Sequence, residues 1–387
     1  MANLLILYGQ REPTNIMVED FFVSICKDNN LCVKAIKVDK ITEKILLWSD
    51  IVMGIRTQNI FEADIMALAK KNGKLVIEMI DDDLLALEDY HVRRPIQEKS
   101  LLRALSNADI LLGSNEELLK KYQKFTKGGA VRMLHTAVDE KEIISIKRQP
   151  DDVINIAYYA SDGVNQNFEQ IIKPMLTGLA RVLNKPVHWH FFTTHPDMSD
   201  TPYSESVTYY SSMPIDEFRE KLGGTGIDIG IAPLIDSEFN AGKYVNKFFE
   251  FSRAGIPAIY SNVRPYAGFV VDGVDGILAD NTNEAWLSAF EKLSDEKERA
   301  RISEVCQMEL RTKYSFEAIK KKMFQDIPEL TASHKDWNNR PTLLGYRIKS
   351  KFFKLADKPV RAIGRMRTEG LKSTFGWITG HYMFQSK

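Results

Sequence analysis

Two lysines and a glutamate follow one another at helical spacing after the tetrapeptide FNAG: Lys243, Lys247 and Glu250. On a helix these charged side chains would share one face, while the aromatic residues between them would share another. Asn240 and Gly242 precede the periodic part and predict that the helix begins there, at the mouth of a loop. Two ammonium groups at this place suit an anion, because the N–H groups of a helix N-terminus already favour negative charge. A diphosphate next to a ribose would satisfy them, with Glu250 accepting hydrogen bonds from the diol.

The same stretch also fits a structural interpretation without a ligand. Lys247 and Glu250 could form a solvated ion pair along the helix, and spacing alone does not separate this pair from an anion site. The end of the segment is better defined, because Gly255 is expected to terminate the helix and Pro257 to prevent its continuation. The apolar run AIYS that follows predicts a short buried strand.

Length and composition place the chain among ordinary soluble globular proteins. Its 387 residues exceed what one hydrophobic core usually organises, so the sequence predicts two domains. Hydrophobic residues make up 44% of the chain and charged residues 27%, as is typical of that class. The three cysteines lack metal-type spacing, which favours a reducing compartment and argues against a disulfide framework or a zinc site. We therefore expect a cytoplasmic protein. We expect neither a cofactor nor nucleic acid as a partner.

Short apolar runs alternate with amphipathic segments along most of the chain. The runs that predict strands are NLLILY, LCVKAIKV, DIVMGI, KLVIEMI, ADILLGS, VRMLHTAVD, INIAYYAS, VHWHFFTT, SVTYYSS, DIGIAPL and PAIYS. Such alternation indicates parallel sheets with helices on both faces, with a ligand expected between two domains where the strands end. The predicted fold class is α/β: two tandem Rossmann-like doubly wound domains and a basic amphipathic tail. We expect these parts at residues 1–150, 151–330 and 331–387.

The expected tail differs from the body in charge. From Lys335 to Lys387 the sequence holds twelve Lys or Arg against three Asp or Glu, although the whole chain has a net charge of zero. An apolar stripe falls on one face of a predicted helix in this segment: Leu344, Ile348, Phe352 and Leu355. A basic amphipathic helix suits an anionic membrane, and the aromatic residues of FGWITGHYMF favour headgroup level. We expect residues 340–384 to bind the inner face of the cell membrane; the alternative is that the stripe packs back on the body.

A longer motif around the opening lysines resembles a known family. The stretch DIGIAPLIDSEFNAGKYVNKFFEFSRAGIPAIYSNVRPYAGFVVDGVDGILAD resembles the donor-binding half of retaining nucleotide-sugar glycosyltransferases of the GT-B type, family-four-like. ADILLGSNEELLKKY followed by VRMLHTAVD is similar to the last strands of that family's first domain, and the likeness runs in order over roughly residues 45 to 325. The resemblance implies sugar transfer with retention, without a metal, from a nucleoside diphosphate sugar to a glycan or lipid-linked acceptor. Cell-surface polysaccharide or glycoconjugate synthesis is the process it implies.

The resemblance assigns a donor site and also shows two departures. The implied donor-binding residues are Asn240, Gly242, Lys243, Lys247 and Glu250, with Glu250 on the ribose and the two lysines as catalytic groups on the leaving diphosphate. Many members carry a Glu where this chain has Gly242, and many offer an Arg and a Lys in the stretch that reads YYASDGVNQNF here. The departure at Gly242 keeps one alternative open, a non-catalytic glycosyltransferase-like subunit that docks on a partner or membrane. A nucleotide-sugar epimerase on the same two-domain fold is a further alternative.

An acidic triplet in VIEMIDDDLLAL provides the candidate acceptor site. The resemblance implies that this position faces the acceptor, so we expect Asp81 or Asp82 to contact an acceptor hydroxyl, with Asp81 as the catalytic candidate. The alternatives are a metal-binding acidic motif, as in glycosyltransferases of another fold, and a helix cap with a charged first turn. Arg56 ends the strand DIVMGIR, where it could meet a diphosphate or an anionic acceptor, or be an ordinary surface arginine. Gly9 ends the first strand, and its backbone could approach a ligand.

Overall fold

The computed structural model describes residues 2–9, 13–26, 31–86, 95–144, 152–160, 165–332, 336–337 and 341–352, and single residues 359, 363 and 366. These residues divide into two compact units. Unit 1 comprises the described residues of Met1–His135 and Lys320–Lys387, and unit 2 comprises those of Thr136–Ile319. Unit 2 thus begins earlier than the expected change at residue 150, and the chain returns to unit 1 before the expected tail.

Unit 1 is built on a six-stranded parallel sheet with the strand order β2-β1-β3-β4-β5-β6. The strands are β1 (Ala2–Tyr8), β2 (Leu31–Lys37), β3 (Ile51–Ile55), β4 (Leu75–Ile80), β5 (Ile110–Gly113) and β6 (Ala130–Met133). All residues of β3 and β5 are buried, because helices cover both faces of a parallel sheet. The carboxyl ends of β1, β3 and β4 carry the residues predicted for the acceptor.

Side-chain caps begin three of the helices of unit 1, at Thr42, Asn59 and Asn115. The helices are α1 (Pro13–Cys26), α2 (Glu43–Trp48), α3 (Ile60–Lys71), α4 (Pro95–Leu105) and α5 (Glu116–Gln123), with short 3-10 turns at Val38–Lys40 and Leu84–Ala86. The Asn59 side chain accepts a hydrogen bond from the Phe61 N–H at the start of α3. Gly73 follows the end of α3 with φ 75°, a left-handed conformation that suits glycine.

Unit 2 has a second six-stranded parallel sheet, in the order β12-β11-β10-β7-β8-β9. Its strands are β7 (Ile154–Tyr159), β8 (Val187–Phe192), β9 (Val207–Tyr210), β10 (Ile229–Ala232), β11 (Ala258–Ser261) and β12 (Ile277–Ala279). Large side chains such as Trp189, Phe168 and Phe248 fill the core of this unit without exposure to solvent. The three-residue strand β12 was not among the predicted strands, whereas every strand predicted from the sequence is present.

The helices of unit 2 include short and interrupted segments. The helices are α6 (Leu176–Leu183), α7 (Ile215–Gly224), α8 (Glu238–Ala241), α9 (Asn246–Arg253), α10 (Asn283–Lys292) and α11 (Glu296–Thr312); α12 (Phe316–Asp326) leads back to unit 1. The segment before α6 forms a π turn at Phe168–Ile172 and a 3-10 turn at Lys173–Met175. Pro174 explains the break, because it lacks the N–H that a continuous α-helix requires. Further 3-10 turns lie at Glu140–Glu142 and Tyr266–Gly268 in unit 2, and at Pro328–Leu330 after the chain has returned to unit 1.

The last described helix, residues 344–352, packs on unit 1. Leu343 is buried in the hydrophobic core beside α2, and the Lys349 ammonium donates to both carboxylate oxygens of Asp64 at 2.8 and 3.0 Å. The predicted apolar stripe faces outward instead: Leu344, Ile348 and Phe352 are 67%, 61% and 68% exposed. The alternative that the stripe packs on the body is therefore wrong at these three positions. Leu355, the fourth member, lies outside the described residues.

Candidate functional site

The segment that carries the opening lysines forms two helices, not the single helix predicted. Ser237 caps α8 by accepting a hydrogen bond from the Asn240 N–H, and Gly242 ends this helix with φ −81°. Asn240 therefore lies inside α8, and its side-chain amide donates 2.7 Å to the carbonyl of Ile235. Lys243 lies in the turn between α8 and α9, with its ammonium 5.0 Å from the centroid of the Phe239 ring.

The predicted end of α9 is confirmed. Gly255 adopts φ 64°, and its N–H donates to the carbonyl of Ser252, while the Ile256 N–H donates to that of Phe251 at 2.8 Å. These two hydrogen bonds form a Schellman motif, which satisfies the last carbonyl groups of a helix. Pro257 follows directly, and β11 begins at Ala258 as the sequence predicted. The motif fixes the direction in which α9 enters the sheet.

Lys247 lies in the first turn of α9, with its ammonium over an aromatic ring. Its Nζ atom is 4.3 Å from the centroid of Tyr159, the last residue of β7. Burial, followed by the nearby charge of Lys243, lowers the pKa of Lys247 from 10.5 to about 7. Within the described residues no carboxylate forms a salt bridge with this half-buried lysine. An anionic ligand would therefore be a favourable partner for it.

Glu250 takes partners that the sequence analysis did not identify. Arg219 on α7 donates from Nε and Nη2 to the two carboxylate oxygens of Glu250, at 2.9 and 3.1 Å. Arg253, one turn further along α9, adds a third hydrogen bond of 2.6 Å. Both arginines also contact Glu142, at 2.8 and 3.2 Å, so four charged side chains close a ring of alternating sign. The proposed solvated pair between Lys247 and Glu250 is therefore wrong.

Tyr159 is a second residue that the sequence analysis missed. Its ring makes edge contacts with Phe218 and Phe251, with centroids 5.0 and 5.5 Å apart. Its hydroxyl is buried and finds no hydrogen-bond partner among the described residues. The pKa of Tyr159 is raised, and burial is the largest cause. The only available signal was its place at the end of a strand. In the loop beyond it, where many members of the resembling family offer an Arg and a Lys, residues 161–164 lie outside the described part of the chain.

In unit 1 the structure brings three of the four predicted acceptor residues together. The Arg56 guanidinium binds both carboxylate oxygens of Asp81, one of them at 2.7 Å, and also Asp82 at 3.0 Å. Arg56 adopts φ 48°, an uncommon backbone conformation for a residue other than glycine. It is half-buried and paired, so it is not an ordinary surface arginine. Asp83 belongs to a separate contact, in which it accepts hydrogen bonds from Lys121 and Tyr122.

Gly9, the fourth predicted acceptor residue, has different neighbours. A Cβ atom added to it would lie 3.7 Å from Asn59 and from Glu62, an ordinary packing distance. One alternative interpretation of the acidic triplet places a helix directly after it. The structure shows a 3-10 turn at Leu84–Ala86, and residues 87–94 lie outside the described part. Among the described residues, no three His, Cys, Asp or Glu side chains are placed to hold a metal ion together.

A buried pair of carboxyl groups lies near these residues and was not predicted. Glu78 on β4 accepts hydrogen bonds from the N–H and the hydroxyl of Thr57, at 2.8 and 2.7 Å. Burial raises the pKa of Glu78 to about 8, and burial together with the Glu78 charge raises that of Glu62. The signal in the sequence was a glutamate in the middle of the apolar run VIEMI. Such a residue must be protonated or paired when its strand is covered on both faces.

Comparison with known proteins adds a distant relative. No protein-family model matches this chain. Among curated proteins, the chain is 28% identical over 198 residues to TuaH of Bacillus subtilis (strain 168), a protein named for a proposed glycosyltransferase role in teichuronic acid biosynthesis. The match takes in 47% of this chain and 49% of TuaH, so the chain spans about half the length of the curated relative that it matches.

Solved structures share the architecture of the chain. HepE from Anabaena, in complex with UDP-glucose, matches with a TM-score of 0.60 at 10% identity, over 85% of this chain and 100% of its own. WaaB, a lipopolysaccharide outer core galactosyltransferase, matches with a TM-score of 0.59 at 11% identity, over 85% of this chain and 99% of its own. The chain has a GT-B fold. The predicted α/β class with two Rossmann-like doubly wound domains is thus confirmed.

Proposed function

We propose that this GT-B protein transfers a sugar from a nucleoside diphosphate sugar to a glycan or lipid-linked acceptor. The observation that carries the proposal is the Lys247 ammonium, half-buried beside Lys243 without a carboxylate partner among the described residues. A buried cation without a partner is costly, and a diphosphate would compensate that cost. The name of the curated relative and the UDP or UDP-glucose bound in structural neighbours support this substrate class.

The proposed sugar transfer requires stabilisation of the diphosphate leaving group. The bond between the anomeric carbon and the β-phosphate oxygen breaks, and the acceptor hydroxyl oxygen forms a new bond to that carbon. The acceptor proton passes to the leaving diphosphate, whose developing charge Lys247 and Lys243 stabilise. Retention of configuration without a metal is part of the proposal. The process would be cell-surface polysaccharide or glycoconjugate synthesis.

The remaining site residues take roles within each unit. Glu250 already accepts three hydrogen bonds, and a carboxylate has about four lone-pair directions, so one direction suits a ribose hydroxyl. Asn240 and Gly242 would line the donor site of unit 2 near its sugar. Unit 1 would be the acceptor side, where the candidates are Asp81, Asp82, Arg56 and Gly9.

The test uses a panel of nucleotide sugars, first by thermal shift and then by turnover with acceptor extracts. A bound donor should raise the melting temperature by mass action, and the same donor should release its nucleoside diphosphate only when an acceptor is present. Lys247→Ala should lower donor affinity or turnover by about 2 kcal/mol, roughly 30-fold. Lys221→Ala is the matched control, because Lys221 is an exposed lysine whose ammonium lies 5.9 Å over Tyr210 in the same unit.

Two outcomes would contradict the proposal. If no nucleotide sugar shifts the melting temperature or is consumed, the protein is a non-catalytic subunit of this fold. If a nucleotide sugar is converted without any acceptor, the chemistry is that of an epimerase. Equal kinetics for Lys247→Ala and Lys221→Ala would remove Lys247 from the donor site.

We further propose that the protein acts as a peripheral protein on the inner face of an anionic membrane. The helix at 344–352 is held on unit 1 by Leu343 and Lys349, so its apolar stripe has a fixed outward direction. The exposed stripe would bury apolar area, and the excess of basic residues from 335 to 387 would attract anionic headgroups. In the described part of the chain, no helix is both long and apolar enough to cross a bilayer.

Flotation with vesicles that contain phosphatidylglycerol tests the membrane proposal. The double variant Leu344→Ser/Ile348→Ser should lose most vesicle binding, while turnover of a short soluble acceptor stays intact. Met308→Ser is the control, because Met308 is also an exposed apolar residue, at 56%, but lies on α11 of unit 2. Weak vesicle binding of the unaltered protein at low salt would overturn the membrane proposal and leave sugar transfer standing.

A further inference from the structure

We propose that Arg219 and Tyr159 are positioning residues that prevent Lys247 and Glu250 from pairing with each other, so that both side chains stay available to the ligand. The inference rests on the proposed donor site, to which both charged residues belong. Neither positioning residue is near α9 in sequence: Arg219 lies on α7 and Tyr159 ends β7. Both reach the helix through the tertiary structure of unit 2.

The need for such an arrangement follows from helical geometry. Lys247 and Glu250 lie three positions apart on α9, a spacing at which a lysine and a glutamate usually attract each other. An ion pair between them would neutralise the cation meant for a diphosphate and occupy the carboxylate meant for a diol. The structure does not contain this pair, so other groups must hold the two side chains in their observed places.

Arg219 holds the carboxylate. Its two hydrogen bonds to Glu250 have the bidentate geometry that fixes both the position and the plane of a carboxylate. Its third donor reaches Glu142 at 2.8 Å, and Arg253 closes the ring from the other side. Arg219 is thereby anchored at two points. Removing it would leave Glu250 with one arginine and with freedom to turn towards Lys247.

Tyr159 holds the ammonium. An aromatic face attracts a cation without neutralising its charge, and the distance of 4.3 Å lies within the range of that interaction. Contacts with Phe218 and Phe251 fix the plane of the ring. The charged or titratable groups around the contact between Lys247 and Tyr159 include the two residues themselves and Lys243, Tyr266, Glu250, Arg253 and Arg219. The charge of Lys243 disfavours the protonated form of Lys247, and burial disfavours that form more strongly.

The arrangement has a consequence that does not depend on any substrate. With Glu250 held away, the pKa of Lys247 stays low, near 7; with Glu250 released, an opposite charge would approach the ammonium and raise that pKa. Loss of the tyrosine ring would act in the same direction, because the ammonium would then move towards the carboxylate or towards water. A purely structural role for Arg219 or Tyr159 would leave the titration of Lys247 unchanged in any variant that folds.

The experiment is an NMR titration of the lysine side-chain carbons in the full-length chain, with the Lys247 signal identified by Lys247→Arg. In Arg219→Met and in Tyr159→Leu, the Lys247 midpoint should rise by about one pH unit or more. Tyr159→Phe keeps the ring face and should keep the midpoint of the unaltered protein. Arg301→Met is the matched control, since Arg301 also holds a glutamate, Glu298, through two nitrogen atoms, but on the exposed surface of α11.

The titration and the turnover assay separate this inference from the proposed function. An unchanged Lys247 midpoint in folded Arg219→Met and Tyr159→Leu would overturn the inference, even if nucleotide sugars are consumed. The expected midpoints without consumption of any nucleotide sugar would support the inference and reject the sugar transfer. If Arg219→Met does not fold, the Tyr159→Leu and Tyr159→Phe pair decides alone. With an active protein, Arg219→Met should also raise the KM for the donor several-fold, with a smaller effect on kcat.

Discussion

Replacement of Lys247 by methionine should make the protein more stable while it weakens donor binding. The ammonium is half-buried over Tyr159, and burial is the main cause of its lowered pKa. Folding therefore disfavours the charged form of this residue. Methionine has a similar length and no charge, so it can fill the same space without that cost.

The size and the pH range of the effect follow from the two pKa values. The pKa falls from 10.5 in the unfolded chain to about 7 in the folded one. At 1.4 kcal/mol per pH unit the cost of charging is at most about 5 kcal/mol, and the contact with the ring returns about 1–2 kcal/mol. Between the two pKa values the unfolded chain binds the extra proton, so unfolding free energy rises with pH there. The gain from Lys247→Met should thus be about 3 kcal/mol at pH 6 and vanish near pH 10.

Thermal unfolding at several pH values measures this gain. At pH 6 the melting temperature of Lys247→Met should lie roughly 5–10 °C above that of the unaltered protein, and the difference should shrink as pH rises. Lys221→Met is the control, because Lys221 is exposed although it also lies over a tyrosine ring. A destabilised Lys247→Met, or a gain that grows with pH, would refute the assignment of a desolvated lysine.

Further predictions concern unit 1. Gly54→Ala should destabilise the protein by about 1–3 kcal/mol in denaturant unfolding, because a Cβ atom would lie 2.5 Å from Glu78 Oε2 and 2.7 Å from Met66 Sδ; a neutral result would contradict this packing. The raised pKa of Glu78 means that the folded chain holds its proton between pH 4.5 and about 8, so stability should fall with rising pH across that window. Glu78→Gln should flatten that slope, and an unchanged slope would assign it to other groups. Lys349→Ala removes one of the two cations that pair with buried Asp64, so proteolysis should cut the tail faster; equal rates would show that the ion pair does not hold the helix.

The expected strands and the end of α9 were accessible from the sequence because local patterns decide them. Alternating apolar runs specify strands covered on both faces, and Gly255 followed by Pro257 specifies a helix terminus. The sequence pattern did not predict elements correctly where a strand is very short or where a local capping interaction competes with the helical pattern. The strand β12 has three residues. The helix expected to begin at Asn240 and Gly242 begins only at Asn246, because Ser237 caps a separate short helix upstream.

The partners of the charged residues were decided by the tertiary structure. The sequence showed Lys247 and Glu250 at pairing distance along a helix, but Arg219 lies 31 positions before Glu250 and competes for it from another helix. Arg56 and Asp81 meet across 25 positions because β3 and β4 are neighbours in the sheet. Spacing along the chain reports only which residues can meet within one element. Which of them do meet depends on the stronger and better desolvated contacts that the packing of distant elements provides.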